Sequence, residues 1–335
     1  MTDAAATKNS LPRLPRFIRI GSGQMGLLAI VVVLWAIFSL RAPGFLSHFN
    51  LNSLGRSLGI DIVVGFSQMV VLATGGMNLS VGAIGVCSVM TIGYLLQTLG
   101  LPIPVAICGG LALSALLGWI NGFAIVKSGV NSFIATLATA NLFSGGMLIL
   151  SKAQLFTALP PEVGAFGQAH IGGLPTLLVV ALGIGAALIV LYGFTVLGRQ
   201  LLAAGANSRA AAMSGVPVDR MVIVAHTLSG FLAGAAGVLL VTKIGGALPS
   251  AAGDEWLLPS FLGPVLGGTL LSGGIISVIG TVIGAALVTT IRSGLLLLQV
   301  GNFWLQLFLG VALLGAVMIE RYRSVRAEKR GAMRQ

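Results

Sequence analysis

The sequence predicts an all-α fold, a polytopic transmembrane helical bundle of about ten spans with short helices in one of its loops. Hydrophobic residues make up 56% of the 335-residue chain and charged residues only 8%, and the mean hydropathy is +1.02. So few charges cannot cover a soluble domain of this size. The apolar runs are long and continuous, unlike the alternating ten-residue strands of a membrane barrel. Helices are therefore the spanning element that the pattern favours.

Ten apolar stretches approach the roughly 20 residues that a helix needs to cross a bilayer. The eighth is short and rich in glycine. The predicted spans are Met25–Leu40, Leu58–Thr74, Leu79–Leu99, Ile103–Val126, Ser132–Leu150, Leu177–Phe194, Met221–Val241, Leu257–Leu271, Ile275–Ser293 and Phe303–Ile319. They form one transmembrane domain at 21–320, and the basic segments 1–20 and 321–335 are predicted to be cytoplasmic tails.

The basic residues predict the orientation. With both termini in the cytoplasm, fourteen lysines and arginines fall in inside segments and five in outside segments, which is the positive-inside bias. This distribution accounts for the net charge of +11 without a nucleic-acid partner, and the tails would also contact membrane lipid headgroups. No small-residue cleavage site follows Leu40. The first apolar run is therefore predicted to be a retained span of a multi-pass inner-membrane protein, not a signal peptide.

The sequence contains no catalytic motif and no metal-binding motif. Its three histidines are far apart, and its two cysteines lie in separate apolar spans, so neither a metal site nor a disulfide framework is predicted. The segment nearest to a phosphate-binding loop is Lys127-Ser128, but Val126 stands where that motif requires glycine. We therefore expect no cofactor in this chain, and ATP with Mg would have to bind to another polypeptide.

Two glycine pairs interrupt apolar stretches in different halves of the chain. Gly75-Gly76 opens a segment that includes Asn78 and Ser80, and Gly267-Gly268 lies in the eighth predicted span. Polar groups at membrane depth must be satisfied within the protein or by a water-filled path. Paired interruptions of this kind mark broken helices on either side of a transport path. Four Gly-x-x-x-Gly motifs, in contrast, predict close helix packing.

A polar loop, Gly198–Val216, separates the sixth and seventh spans. It contains six alanines and two arginines, which predicts a pair of short amphipathic helices lying along the membrane surface. One interpretation is an ordinary cytoplasmic connector. The other is a docking element for a partner protein.

Four motifs, in order, resemble those of the ribose-type permeases of ABC importers. Gly76–Gly82 is similar to the family's Gly-Ile-Asp-Leu-Ser-Val-Gly, with Asn78 at the aspartate position. Val130–Thr139 is similar to its Pro-x-Phe-Ile-x-Thr-Leu segment, with Asn131 at the proline position. The loop at 198–219 resembles the coupling loop of these permeases, and Leu266–Thr269 a later glycine motif. The matches extend from about residue 55 to 290.

The resemblance implies a permease subunit that is not itself an enzyme. Such permeases work with a second permease copy or a sister permease, with cytoplasmic ABC ATPase subunits, and with a periplasmic or extracellular binding protein. They import a sugar or a similar small polar solute by alternating access. The implied ATPase-coupling residues are Gly198, Arg199, Gly205, Asn207, Ala210 and Gly215, and those of the translocation pathway are Asn78, Ser80, Asn131, Thr136, Gly267 and Gly268.

Two departures from the family pattern leave the solute open. Asn78 removes a charge, and the segment 254–261 differs from the family's usual run. Amino acids and nucleosides are therefore alternative substrates. An ion- or proton-coupled secondary transporter using Asp61 is an alternative mechanism, although Asp61 and Arg292 are also interpreted as charges near helix ends. A membrane scaffold would leave the polar intramembrane motifs unexplained.

Overall fold

The computed structural model describes residues 22–250 and 253–299, together with residues 304, 306–311, 314–315 and 318. The described part is mostly helical. Its α-helices are α1 Ser22–Arg41, α2 His48–Leu72, α3 Val81–Gly93, α4 Ile103–Ser128, α5 Ser132–Ser151, α6 Pro161–Gln168, α7 Thr176–Phe194, α8 Val196–Ala206, α9 Ser208–Met213, α10 Val218–Ile244, α11 Leu257–Leu266 and α12 Val278–Leu297. A π-helical turn, Tyr94–Thr98, continues α3, and β1 His170–Ile171 pairs antiparallel with β2 Leu174–Pro175.

Eight helices in the described ranges are long and apolar enough to cross a membrane: α1, α2, α3 with its π-helical turn, α4, α5, α7, α10 and α12. They confirm eight of the predicted spans and the all-α membrane fold. The first and last predicted segments, 1–20 and 321–335, lie outside the described residues, as do seven of the seventeen residues of the predicted span Phe303–Ile319.

The predicted span Leu257–Leu271 is wrong in extent. Its helix, α11, has ten residues and ends at Leu266, so it is about 15 Å long, half the thickness of a bilayer core of about 30 Å. Gly267 and the positive-φ Gly268 follow it, and the chain then turns back toward α12. α11 is therefore a half-helix, which hydropathy alone does not distinguish from a short span.

α2 lies at the centre of the bundle. It packs against α7, α10, α11 and α12, and 83% of its most apolar 18-residue stretch is buried. The corresponding value is 11% for both α1 and α5, so these two helices lie at the periphery. Most of their apolar side chains are free to contact lipid or another membrane protein.

The Gly-x-x-x-Gly motifs form two tight helix crossings, as predicted. Where α4 crosses α10, a Cβ on Gly118 would lie 2.3 Å from the His226 carbonyl oxygen, and a Cβ on Gly230 would lie 2.3 Å from the Ser114 carbonyl oxygen. Where α11 crosses α12, the backbones meet at Gly267 and Gly280. No side chain fits between these helices, so the glycines set the interhelical distance.

Asp61 and Arg292 join α2 to α12. Arg292 Nη1 lies 3.6 Å from Asp61 Oδ2, which also accepts a hydrogen bond of 2.7 Å from Thr289 Oγ1. Asp61 is 4% exposed. It does not lie near a helix end, because α2 begins at His48, ten residues before the predicted span. Its carboxylate is thus held by partners inside the bundle.

Candidate functional site: two helix breaks and the loop helices packed on them

The first break is the segment Thr74–Ser80 between α2 and α3. Its residues are non-helical, and Gly75 has a φ of +77°, a conformation that residues with a side chain rarely adopt. The glycine pair therefore ends α2 inside an otherwise apolar region, as the sequence predicted. The backbone groups that this interruption releases from helical hydrogen bonding need other partners.

Asn78 is the centre of the side-chain network that holds the first break. Its Nδ2 donates to Ser229 Oγ of α10 over 2.9 Å. Its Oδ1 accepts from the Ser80 backbone N–H at 3.0 Å and from Ser80 Oγ at 2.7 Å. Asn121 Nδ2 of α4 donates to the same Ser80 Oγ over 2.7 Å. Asn78 and Ser80 are both fully buried.

α5 satisfies the backbone on the other side of this break. Ser132 Oγ accepts from the Met77 N–H and Thr136 Oγ1 from the Leu79 N–H, each over 3.0 Å. Thr136 is fully buried, whereas Asn131 is exposed and caps α5 by accepting from the Phe133 N–H. The structure therefore brings Asn78, Ser80 and Thr136 together and leaves Asn131 apart from them.

The second break, Gly267–Ser277, lies between α11 and α12 and depends more on glycine than the first break does. Gly268, Gly273 and Gly274 have φ values of +93°, +89° and +79°. Side-chain hydrogen bonds also support the turn: the Ser277 N–H donates to Thr269 Oγ1 over 3.1 Å, and Gln24 Nε2 of α1 donates to the Gly267 carbonyl oxygen over 3.2 Å and to Ser277 Oγ. Gly267 is buried and Gly268 is exposed.

The two breaks are in direct contact. The Gly274 N–H donates to the Ala73 carbonyl oxygen over 3.1 Å. A Cβ on Gly273 would lie 2.7 Å from the Gly75 nitrogen. The glycine pairs that the sequence placed in different halves of the chain thus belong to one junction, where backbone meets backbone.

α8 packs on this junction. A Cβ on Gly205 would lie 2.0 Å from the carbonyl oxygen of Ala73, which directly precedes the first break, and 2.7 Å from the Gly274 nitrogen in the second break. At the start of the same helix, a Cβ on Gly198 would lie 2.2 Å from the Leu191 carbonyl oxygen of α7. Gly198 and Gly205 therefore fix α8 to the bundle; Gly198 is buried and Gly205 is half-buried.

The outward surface of α8 and α9 is formed by other residues. The two helices confirm the predicted helix pair, and Asn207 caps the second by accepting from the Ala210 N–H over 3.0 Å. Arg199, Asn207, Arg209, Ala210 and Gly215 are all exposed. Met213, which is 91% exposed, also lies on this surface and was not predicted to do so. In the sequence, the feature that could have identified this residue is that it is the one methionine in an alanine-rich polar loop.

This arrangement is typical of a membrane permease: a bundle of spanning helices contains two broken helices in contact, and a helical loop packs on both breaks. Comparison with known proteins gives the family. Residues 50–319 match the family described as "Branched-chain amino acid transport system / permease component". The chain therefore belongs to this family of transport-system permeases.

Individual relatives cover almost the whole chain. The ribose import permease protein of Bacillus subtilis is 35% identical over 303 residues, 90% of this chain and 92% of the relative. The L-arabinose transport system permease protein of Escherichia coli is 30% identical over 305 residues, 90% and 91%. The D-allose transport system permease protein of the same organism is 30% identical over 299 residues, 89% and 91%.

Proposed function

We propose that this chain is a membrane subunit of an ATP-driven ABC importer that moves a sugar, or a related small polar solute, into the cytoplasm. The names of the relatives support the substrate class. The observation that carries the mechanism is the packing of α8 on both helix breaks through Gly205. A displacement of α8 would reach both broken helices through backbone contacts, without an intervening flexible side chain.

The energy source in this proposal is a separate ATPase chain, which binds ATP and Mg. α8 and α9 face the cytoplasm, as do both termini, and the outward surface around Arg209 and Met213 docks into that ATPase. An exposed methionine beside an arginine suits a docking site, because methionine and arginine are enriched in interfaces. A proton-coupled mechanism through Asp61 has less support, since its carboxylate is held by Arg292 and Thr289.

The translocation pathway is proposed to run along α5, between two permease copies. Ile134, Leu137 and Asn141 lie on one helical face, and all three are exposed, as is Asn131 at the start of this helix. An amide that faces lipid is costly, so this face is better suited to a partner permease or a polar path. The buried Asn78, Ser80 and Thr136 would then act indirectly, by fixing the shape of the break.

A double variant tests the docking surface. In Arg209→Glu with Met213→Asp, two exposed side chains change, so the bundle should fold and reach the membrane in normal amounts. We expect about a tenfold loss of ATPase co-purification, as for an interface hot spot, and a parallel loss of ATP-dependent sugar uptake in proteoliposomes that contain the ATPase and the binding protein.

Lys127→Glu is the matched control. Lys127 is exposed at the end of α4, on the same side of the bundle but outside the loop, and its charge reversal should leave ATPase binding within twofold of the wild type. If the double variant binds the ATPase and supports uptake like the wild type, the loop is an ordinary connector. Uptake that proceeds without ATP would contradict the proposed energy source.

A further inference from the structure

A cavity of about 520 Å³ opens between α3, α4 and α5, away from both breaks. This volume lies in the range of about 300–1,000 Å³ that is usual for ligand sites. The lining is mostly apolar and includes no charged side chain. Representative lining residues are Met90, Leu113, Leu117, Phe143, Gly146 and Met147.

The cavity has one apolar end and one more polar end. Ser151 and Gln154 lie where α5 ends, and both line the cavity there. Tyr94 and Phe156 also line it, and their rings pack edge to face with centroids 6.3 Å apart. From Leu142 to Leu150 the α5 wall is about 12 Å long. The cavity is therefore a groove that runs from the end of the bundle into the membrane-spanning region.

A free sugar does not suit this groove. It would need hydrogen-bond partners around its ring, and the apolar wall offers few. Ser151 Oγ already donates to Met147 Sδ, and Cys87 Sγ to the Phe143 carbonyl oxygen. An apolar void also loses dispersion contacts when nothing fills it. The occupant should be a long, flexible apolar group with a polar end.

The neighbouring surface indicates where that group comes from. Leu142, Ile149 and Leu150 of α5 are 67%, 78% and 87% exposed and belong to a membrane-spanning helix, so bilayer lipid lies beside the groove. The α5 face proposed for the pathway, around Ile134 and Asn141, lies on the opposite side of the helix from Gly146. A second permease on that face would leave the groove open to lipid.

We propose that this groove binds one acyl chain of a membrane phospholipid, with the ester and headgroup beside Ser151 and Gln154. The acyl chain would lie against α3, between α4 and α5. It would also contact Phe156, whose backbone pairs with Ala247 after α10 through hydrogen bonds of 3.0 and 2.7 Å. This inference does not depend on the transported solute.

The test uses the full chain in phosphatidylglycerol vesicles that contain a phosphatidylglycerol with a diazirine near the end of one acyl chain. After illumination, mass spectrometry of the peptides locates the cross-links. We expect them to concentrate at groove residues such as Met90 and Met147. Cross-links spread evenly over the exposed faces of α4, α5 and α7 would overturn the proposal.

A matched pair of variants sharpens the test. Gly146→Phe should fill the groove and lower the groove cross-link at least fivefold, whereas Gly183→Phe on α7 should leave it within twofold. An added Cβ meets no atom within 4 Å at either glycine, so both variants should fold, and Gly146→Leu provides a smaller filling change. Equal cross-linking in Gly146→Phe and wild type would contradict acyl-chain binding. Loss of the groove cross-links in the assembled complex, because the partner permease covers the groove, would contradict it as well.

Discussion

The two helix breaks meet at one junction but are built in different ways. The first, Thr74–Ser80, is held by buried polar side chains from α4, α5 and α10. The second, Gly267–Ser277, relies mainly on three glycines with positive φ, and fewer side chains, among them Thr269 and Gln24, hydrogen-bond to it. In the first break, one substitution can remove several hydrogen bonds between buried groups. In the second, a substitution of a positive-φ glycine mainly removes the backbone freedom of that residue. Stability should therefore be more sensitive to substitution in the first break.

The largest effect is expected at Asn78. Asn78→Leu removes a buried donor and a buried acceptor, and it leaves groups on Ser80 and Ser229 unsatisfied. We expect a loss of about 3 kcal/mol in the free energy of unfolding, measured as a fall in the thermal midpoint of the purified chain in detergent. Uptake should fall with the amount of folded protein.

Asn141→Leu is the control for Asn78→Leu. It makes the same replacement on a spanning helix, but Asn141 is exposed, and among the described residues its side chain bonds only to the Leu137 carbonyl oxygen of its own helix. Stability should change by no more than about 0.5 kcal/mol. Similar losses in the two variants would mean that the buried network does not stabilise the first break.

The next largest effect is expected at Gly205, where α8 meets both breaks. In Gly205→Ala, the new methyl group would overlap the Ala73 carbonyl oxygen, so α8 must shift by more than a side-chain adjustment. We expect a loss of about 2 kcal/mol in the free energy of unfolding. ATP hydrolysis by the partner ATPase should no longer respond to substrate-loaded binding protein. Gly183→Ala, which has open space around it, should keep both properties. A coupled response in Gly205→Ala would show that close packing on the breaks is not needed.

Much of this architecture was predictable from the sequence. Long apolar runs gave eight spans correctly, and small residues spaced four apart marked the crossings of α4 with α10 and α11 with α12. The glycine pairs marked both breaks, because glycine interrupts a helix in lipid wherever the protein supplies other hydrogen-bond partners. These features depend on local composition and spacing.

Other features depend on tertiary contacts and were missed. The first ten residues of α2, beginning at His48, are too polar to be recognised as part of a span, so Asp61 was placed near a helix end. Gly205 has no side chain, and hydrophobic periodicity therefore says nothing about which way it faces. The short α11 is as apolar as a span, and only its end at Leu266 in the structure shows that it is a half-helix. The roles of the coupling and pathway residues stay predictions.

The smallest effect separates two adjacent glycines in the second break. Gly267 has an ordinary φ of −68°, but a Cβ there would lie 2.2 Å from the Gly280 carbonyl carbon; Gly268 has open space but a φ of +93°. Gly267→Ala should therefore cost about 2 kcal/mol through steric overlap, and Gly268→Ala about 1 kcal/mol through backbone strain. Gly268→Asn should cost less than Gly268→Ala, because asparagine tolerates positive φ better. Thermal unfolding of the three variants measures the order. If Gly268→Ala costs no stability, or if asparagine gives no relief, backbone conformation is not what holds the second break.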